Sequence, residues 1–127
     1  MPSPVRQWVR KAEADWGTVQ KIEQDNPALN DQICFHCQQV AEKYLKALMQ
    51  QLSLPVPRTH NLGSLLQQLE PHDATLRPLR RRLVNLTRFA VEYRYPGFSA
   101  STRQAHAAVR AAALIREELR CRLGLPN

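Results

Sequence analysis

The sequence contains little glycine and no long apolar run. Four of its 127 residues are glycine and 43% are hydrophobic, a composition typical of a folded globular chain rather than a disordered one. No apolar run approaches the roughly 20 residues that a membrane-spanning helix requires, so we expect no membrane span and no membrane partner. A chain of 127 residues has room for one hydrophobic core. We therefore predict a single domain over residues 1–127.

The N-terminal string MPSPVRQWVRKAEADW lacks the uninterrupted apolar core and the small-residue cleavage site of a secretion signal. A cytoplasmic location is the expectation that follows. Cysteine is also scarce, because there are three, and two of them are three residues apart within a helical pattern. An odd number in such an arrangement does not favour a disulfide framework, which agrees with a reducing compartment.

Cys34 and Cys37 form a CxxC motif with His36 between them, a weak signal for zinc binding or thiol exchange. A closed zinc site needs four ligands, usually from two such pairs, and the sequence has neither a second CxxC nor an HxxxH motif. A thiol-exchange site places its first cysteine at a helix N-terminus, whereas both cysteines here lie inside an apolar helical pattern. We expect both to be buried and inert, and we expect no metal.

The two common glycine-built phosphate cradles, GxGxxG and GxxxxGK[ST], are also missing. The four histidines, His36, His60, His72 and His106, fall in separate segments, and none has a serine or cysteine nucleophile placed so that the sequence could nominate a catalytic triad. No cofactor is expected. Any nucleotide binding must therefore use side chains.

Proline and glycine divide the sequence into helical segments with apolar residues at steps of three and four. Ser3 can cap the first helix, with Pro4 in its first position. The second helix, from about Leu29 to Leu52, is apolar on more than one side, so we expect it to be central. Prolines soon after it bring this helix to an end.

Asn61 can cap a short third helix, and a fourth helix begins near Asp73 and carries a narrow leucine stripe. Either Ser99 or Ser101 can cap the last helix, and Ser101 and Gln104 have the spacing of a capping box. The prediction is an all-α, up-and-down four-helix bundle with an additional short helix in the connection between helices two and four.

The net charge is +7, and 14 of the 18 basic residues are arginines, whose guanidinium groups suit phosphate contacts and stacking on bases. Arg77, Arg80, Arg81 and Arg82 crowd the early part of the fourth helix. Arg77 and Arg81 project in similar directions, away from its leucines, and form a candidate basic patch. An ordinary solvated helix face explains this pair equally well, because charge alone does not define a function.

A second candidate surface lies at the end of the same helix, which contains Arg88, Glu92, Tyr93, Arg94 and Tyr95. Interleaved arginine and tyrosine side chains hold phosphates while they stack on bases. Arg88 and Glu92 are four residues apart and face the same way on a helix, so the carboxylate can orient an arginine. We predict that these five residues bind a nucleotide or a nucleic acid, or line an interface between two copies of the chain.

Two sequence strings carry a resemblance to a known family. ICFHCQQVAEKYLKALMQQL, from Ile33 to Leu52, resembles the signature helix of HEPN domains, and VEYRYPG, from Val91 to Gly97, resembles a segment of one branch of them. THNLGSLLQQL, beginning at Thr59, supports the match. The resemblance implies a helical bundle that commonly dimerises and that is associated with nucleotides, RNA and nucleotidyltransferase partners.

One branch of HEPN domains consists of metal-independent ribonucleases, often toxins, that use an arginine followed after four to six residues by a histidine. No histidine of this sequence has an arginine at that spacing, and Arg88 is followed by VEYRY. The resemblance therefore implies a non-catalytic HEPN protein of the toxin–antitoxin type. Such a protein binds a nucleotide or RNA, forms a homodimer, or is the partner of a small nucleotidyltransferase.

Two alternatives stay open. One is a ribonuclease with an atypical site, in which Arg88 and Arg94 act with a tyrosine or with His36 brought close by folding. The other is a purely structural dimeric adaptor whose arginines are solvated. RNA cleavage would distinguish the first from the leading hypothesis, and the absence of ligand binding would distinguish the second.

Overall fold

Five α-helices and one 3₁₀-helix form the regular structure of the residues described in the computed structural model, which are 3–25, 29–92, 95–97 and 99–127. In chain order the α-helices are α1 (Pro4–Asp25), α2 (Asn30–Gln51), α3 (Leu62–Leu69), α4 (Arg80–Glu92) and α5 (Thr102–Arg122). The 3₁₀-helix, Ala74–Leu79, leads directly into α4. The all-α prediction is confirmed, with α3 as the additional short helix. Within the described ranges, no helix is long and apolar enough to cross a membrane.

Side-chain caps fix the starts of three helices. Ser3 Oγ accepts an amide hydrogen bond of 3.2 Å at the start of α1, and Asn61 Oδ1 accepts one of 3.1 Å at the start of α3. Ser101 and Gln104 form a complete capping box at the start of α5. Such caps satisfy amide groups that the first turn of a helix leaves without partners. All three predicted caps are confirmed.

The stretch before α4 differs from the prediction. The sequence predicts an α-helix from near Asp73, but Ala74–Leu79 is a 3₁₀-helix and α4 begins at Arg80. Asp73 still caps this stretch, since its Oδ1 accepts the amide of Thr75 at 3.0 Å. Pro78 explains the difference, because within an α-helix it would remove a hydrogen bond and clash with the carbonyl group four residues earlier.

Helix α2 is the element on which the others pack, since it contacts α1, α3, α4 and α5. Trp8, early in α1, lies against Lys46, late in α2, so these two helices are antiparallel. Asn30 hydrogen-bonds Thr102 at the starts of α2 and α5, and Gln51 bonds the last carbonyl group of α5, so α2 and α5 are parallel. These directions are those of an up-and-down bundle.

A buried polar network runs along α2 and anchors the chain that leads into α3. The Glu42 carboxylate accepts hydrogen bonds from Gln38 Nε2 (3.2 Å) and Lys46 Nζ (3.1 Å), and it lies 2.9 Å from His60 Nδ1. The side chains of Glu42 and Lys46 are 5% and 6% exposed. Gln38 Nε2 also donates to the backbone carbonyl of His60 at 3.0 Å. These contacts fix the residues just before Asn61, at the start of α3.

Replacing Glu42 by glutamine is expected to lower the free energy of unfolding by about 3 kcal/mol, because Lys46 would keep a buried charge without its carboxylate. Urea denaturation measures this change. The double variant Glu42→Gln/Lys46→Met should recover most of the loss, since both buried charges are then gone. Glu117→Gln, at an exposed position of α5, is the matched control and should change stability by less than about 0.5 kcal/mol. A Glu42→Gln protein as stable as the parent would refute this account of the pair.

Candidate functional site

A groove of about 490 Å³ runs between α4 and α5. Both helices pack on α2 but make few contacts with each other, and this separation opens the groove. Its floor consists of buried or half-buried apolar side chains, which are Leu86, Phe89, Ala108, Ala111 and Leu114. The volume lies within the range of small-molecule sites, roughly 300–1,000 Å³.

Three exposed arginines line this groove, Arg82 and Arg88 from α4 and Arg110 from α5. Arg82 and Arg110 have no ion-pair or hydrogen-bond partner in the part of the chain that the structure describes. Arg88 Nε lies 3.6 Å from Glu92 Oε1, one turn later in α4. Because the side chains of Arg88 and Glu92 are 65% and 39% exposed, their attraction is weak and leaves the guanidinium group accessible. The groove therefore presents available cationic donors.

Two amide side chains face the groove from its two helices. Asn85 belongs to α4 and Gln104 to α5. Gln104 Oε1 accepts the amide of Ser101 at 2.8 Å, so the start of α5 fixes the position of this side chain. Amide groups provide both donors and acceptors, and they are suited to hydrogen bonds with the edge of a base.

Hydrogen bonds hold two of the described residues between α4 and α5, Tyr95 and Ala100. The amide of Tyr95 donates to the carbonyl of Glu92 at 3.1 Å, and Tyr95 is 65% exposed. Gly97 has a φ of +93°, a conformation that favours glycine and accounts for the turn. Asp31 Oδ1 accepts the amide of Ala100 at 2.6 Å, which ties Ala100 to the start of α2.

The structure describes only part of the predicted surface from Arg88 to Tyr95. Arg88 and Glu92 line the groove, and Tyr95 lies just beyond the last turn of α4. Tyr93 and Arg94 lie outside the described residues. The structure thus brings two of the five predicted residues into the groove.

The two residues of the predicted basic patch, Arg77 and Arg81, lie in different helices. Arg77 Nε lies 4.0 Å from Glu70 Oε2, and Arg80 hydrogen-bonds Oε1 of the same carboxylate. Arg81 is exposed and lies two turns before Arg88 on the same face of α4. Arg77 precedes α4 in the 3₁₀-helix, which has about 3.0 residues per turn instead of 3.6, so the spacing argument does not extend to it. Neither Arg77 nor Arg81 lines the groove.

His36 is held by α1 and does not line the groove. Its Nδ1 lies 2.8 Å from Asp15 Oδ1, and Lys43 hydrogen-bonds the other carboxylate oxygen. Burial by itself would raise the pKa of Asp15, but the hydrogen bonds and charges of His36 and Lys43 outweigh it, so the pKa is lowered. The structure therefore does not join His36 to Arg88 in this site.

Cys34 and Cys37 are both buried in the core, as predicted, while their inertness stays a prediction. Burial raises the pKa of the Cys34 thiol to about 12, with a further contribution from the Asp31 carboxylate. Burial also raises the pKa of Cys37. In the described ranges, no group of three or more histidine, cysteine, aspartate or glutamate side chains is placed to hold a metal ion.

Three polar groove residues, Asn85, Gln104 and Arg110, were not identified as functional from the sequence, whereas Arg82 belonged to the predicted arginine group early in the fourth helix. Asn85 lies within one turn of Arg88 in the same helix, so helical spacing could have pointed to it. Gln104 and Arg110 come from α5 and carry no such signal. Only the packing of α5 beside α4 makes them part of one site.

Comparison with known proteins gives one family and two similar folds. The model of the HEPN domain family matches residues 5–122. The crystal structure of TT1696 from Thermus thermophilus has 24% identity and a TM-score of 0.77, over 91% of this chain and 94% of that one. ST0689, described as an archaeal HEPN homologue, has 21% identity and a TM-score of 0.74, over 95% and 98%. Identities this low show a shared fold alone. No curated protein matches the chain.

The different environments of the cysteines predict different reactivities. In the native protein, Cys121 should react with a thiol reagent such as Ellman's reagent, because it is exposed. Cys34 and Cys37 should react only after unfolding, because burial keeps the reagent away from the sulfur atoms and disfavours the thiolate form, which is the form that reacts. The measurement is the number of thiols titrated before and after adding denaturant. Three reactive thiols in the native protein would contradict the burial of the CxxC motif.

The lowered pKa of Asp15 predicts an acid-sensitive contribution to stability. The stabilisation from its charge is complete above the ordinary aspartate pKa of about 4 and is lost as the pH falls through the lower value of the folded protein. Asp15→Asn should therefore lose about 2 kcal/mol at pH 7, and its difference from the parent should shrink below pH ~4. Urea denaturation at several pH values measures this. Asp25→Asn, which breaks an exposed pair with Lys21, should differ little from the parent throughout.

Proposed function

The chain belongs to the HEPN domain family, and we propose that it is a non-catalytic member that binds a nucleotide or a nucleic acid in the groove between α4 and α5. One observation carries the proposal. Three exposed arginines surround an apolar floor, and two of them, Arg82 and Arg110, have no partner among the described residues. Arginines without partners beside an apolar surface are suited to a ligand with both a phosphate and a base.

The chemistry of the groove supports each part of such a ligand. A guanidinium group binds phosphate oxygens through two parallel hydrogen bonds. The floor, which includes the ring of Phe89, provides a surface against which a base can pack. Asn85 and Gln104 supply neutral hydrogen-bonding groups at the base edge. The net charge of +7 attracts an anionic ligand from a distance.

The arrangement gives less support to a ribonuclease. General acid–base catalysis requires a titratable group within hydrogen-bond reach of the reacting hydroxyl. No histidine is among the described residues that line the groove, and His36 is bound to Asp15 on the α1 side of α2. Glu92 is the carboxylate closest to Arg88, and it acts in this proposal as an orienting group.

The proposal extends to residues and partners that the groove itself does not define. Tyr93, Arg94 and Tyr95 follow Glu92 directly and would contact the same ligand or an interface between copies of the chain. Family membership supports a homodimer, or a pairing with a small nucleotidyltransferase in a toxin–antitoxin system. Light scattering of the purified protein, alone and mixed with such an enzyme, would measure both associations.

Salt-dependent binding tests the groove. Arg82→Ala and Arg110→Ala should each weaken the binding of single-stranded RNA several-fold and reduce the slope of log K against log salt by about 0.7, because each removes one phosphate contact. Their folding should be unchanged, since neither arginine has a partner to lose in the described structure. Arg58→Ala, at an exposed loop position, is the matched control and should bind like the parent. If the parent binds no nucleotide or RNA at low salt, the structural adaptor is the correct account.

Incubation of the protein with structured and single-stranded RNA in the presence of a metal chelator tests the non-catalytic assignment. We expect the RNA to remain intact, because no histidine lines the described groove. Gel electrophoresis after incubation is the measurement, and the Arg88→Ala and Arg94→Ala variants are compared with the parent. Cleavage by the parent that either substitution abolishes would establish the ribonuclease instead.

A further inference from the structure

A second groove lies on the other side of α4. It has a volume of about 430 Å³ and is lined by Asn61, Val84, Thr87, Arg88 and Glu92. Arg88 and Glu92 also line the groove between α4 and α5. These two side chains, called here the Arg88–Glu92 ridge, therefore form a wall that two neighbouring concavities share.

Hydrogen bonds to the start of α3 build the second groove. Thr87 Oγ1 accepts the amide of Leu62 at 3.0 Å and donates to the carbonyl of Leu83 at 3.0 Å. Asn61 Oδ1 accepts the amide of Ser64 at 3.1 Å, which fixes the opposite wall. The walls are thus held by the fold itself, without any ligand.

Val84 gives the second groove an apolar surface. It is 47% exposed, whereas most large apolar side chains of the described residues are buried or half-buried. An exposed apolar side chain beside an arginine resembles, on a smaller scale, the combination of Phe89 with Arg82 and Arg88 in the first groove. Each concavity therefore combines an apolar contact surface with access to the same guanidinium group.

We propose that the two grooves together bind a single-stranded oligonucleotide, with one phosphodiester at Arg88 and one nucleoside on each side of the Arg88–Glu92 ridge. The inference rests on the proposed function and specifies its ligand as a chain of two or more nucleotides. Each volume is within the roughly 300–1,000 Å³ range of sites that enclose small organic molecules. A continuous ligand that crosses the ridge uses both concavities, whereas a free mononucleotide fills one.

The charged side chains of the two grooves suit the phosphodiester of such a ligand. Among the described residues that line the two grooves, the charged ones are Arg82, Arg88, Arg110 and Glu92. A phosphodiester placed on the ridge contacts Arg88. The part of the nucleotide ligand that enters the first groove lies near Arg82 and Arg110. Base packing does not depend on sequence, because every base has a flat face, so the site is expected to tolerate different bases.

The test compares adenosine 5′-monophosphate with adenylyl-adenosine, in ribose and deoxyribose forms, by isothermal titration calorimetry at low salt. Near pH 7 the monophosphate carries more negative charge than the single charge of the dinucleoside monophosphate, so charge alone predicts weaker binding of the latter. We expect at least one dinucleoside form to bind about 10-fold more tightly than the mononucleotide of its own sugar, because a second base packs against the protein. The sugar that gives the greater gain identifies the ligand as RNA or DNA.

Two charge insertions separate the grooves. Val84→Glu places a carboxylate in the second groove and should remove the gain of the dinucleoside monophosphate. Any weakening of mononucleotide binding should be smaller, because there the carboxylate acts only through Arg88, four residues later on the same helix. Ala107→Glu places a carboxylate in the first groove and should weaken the binding of both ligands. Val84 and Ala107 are exposed, so neither change disturbs the core. Ala14→Glu adds the same charge on the exposed surface of α1, away from both grooves, and is the control for net charge.

The outcomes distinguish this inference from the proposed function. If mononucleotide and dinucleoside monophosphate bind equally well, or if Val84→Glu weakens neither, the two-groove inference is wrong and the proposed function stands. If no nucleotide of either length binds the parent protein, both fail. A gain for the dinucleoside form that Val84→Glu abolishes and Ala14→Glu preserves supports the inference.

Discussion

The depth at which α2 is buried is the constraint on which the rest of the structure depends. Thirteen of its 22 residues are buried, and four other helices pack on it. A helix in this position cannot keep polar side chains without partners, because an unpaired buried charge costs several kcal/mol. Glu42 is accordingly bonded to Lys46, and the buried Tyr44 hydroxyl donates to Glu13 at 2.5 Å. In the part of the chain that the structure describes, no buried side-chain polar atom is without a hydrogen bond.

The arginines on two sides of the bundle differ in their contacts. On the side of α5 that faces α1, Arg116 makes two hydrogen bonds of 2.8 and 2.7 Å to Glu13, and Arg120 donates to the Tyr44 hydroxyl at 2.9 Å. These arginines serve the packing of α1, α2 and α5. Arg82 and Arg110, in contrast, line a groove and have no partner among the described residues. The arginines that hold the helices together therefore lie on one side of the bundle, and the candidate binding surface lies on the other.

The fold was largely predictable because its signals are local. A helix cap depends on residues within one turn, and a buried helix shows its apolar positions within one segment. The capping box of Ser101 with Gln104 and the burial of the two CxxC cysteines could therefore be predicted. The 3₁₀-helix before α4 was missed because an α-helix tolerates proline only in its first turn, and Pro78 lies beyond that turn in a helix that begins at Ala74.

The candidate site was only partly predictable, because it depends on contacts between distant segments. Arg88 and Glu92 were found from their spacing within one helix. The pairing of His36 with Asp15 joins residues of α1 and α2, and the placement of Arg110 beside Arg82 joins residues of α4 and α5. No periodicity within one segment reveals such pairs. The structure therefore moves the emphasis from a run of arginine and tyrosine residues to a groove between two helices.

An NMR titration of the ¹⁵N-labelled protein with adenylyl-adenosine tests the central claim most directly. The account predicts that the largest shifts occur at amides of Arg82–Glu92 in α4 and Gln104–Leu114 in α5, the two segments that line the groove. Amides in the middle of α1, around Glu13 and Asp15, should not move, because they contact neither groove wall. Shifts concentrated in α1, or no shifts at saturating ligand and low salt, would contradict the assignment of the groove as a nucleotide site.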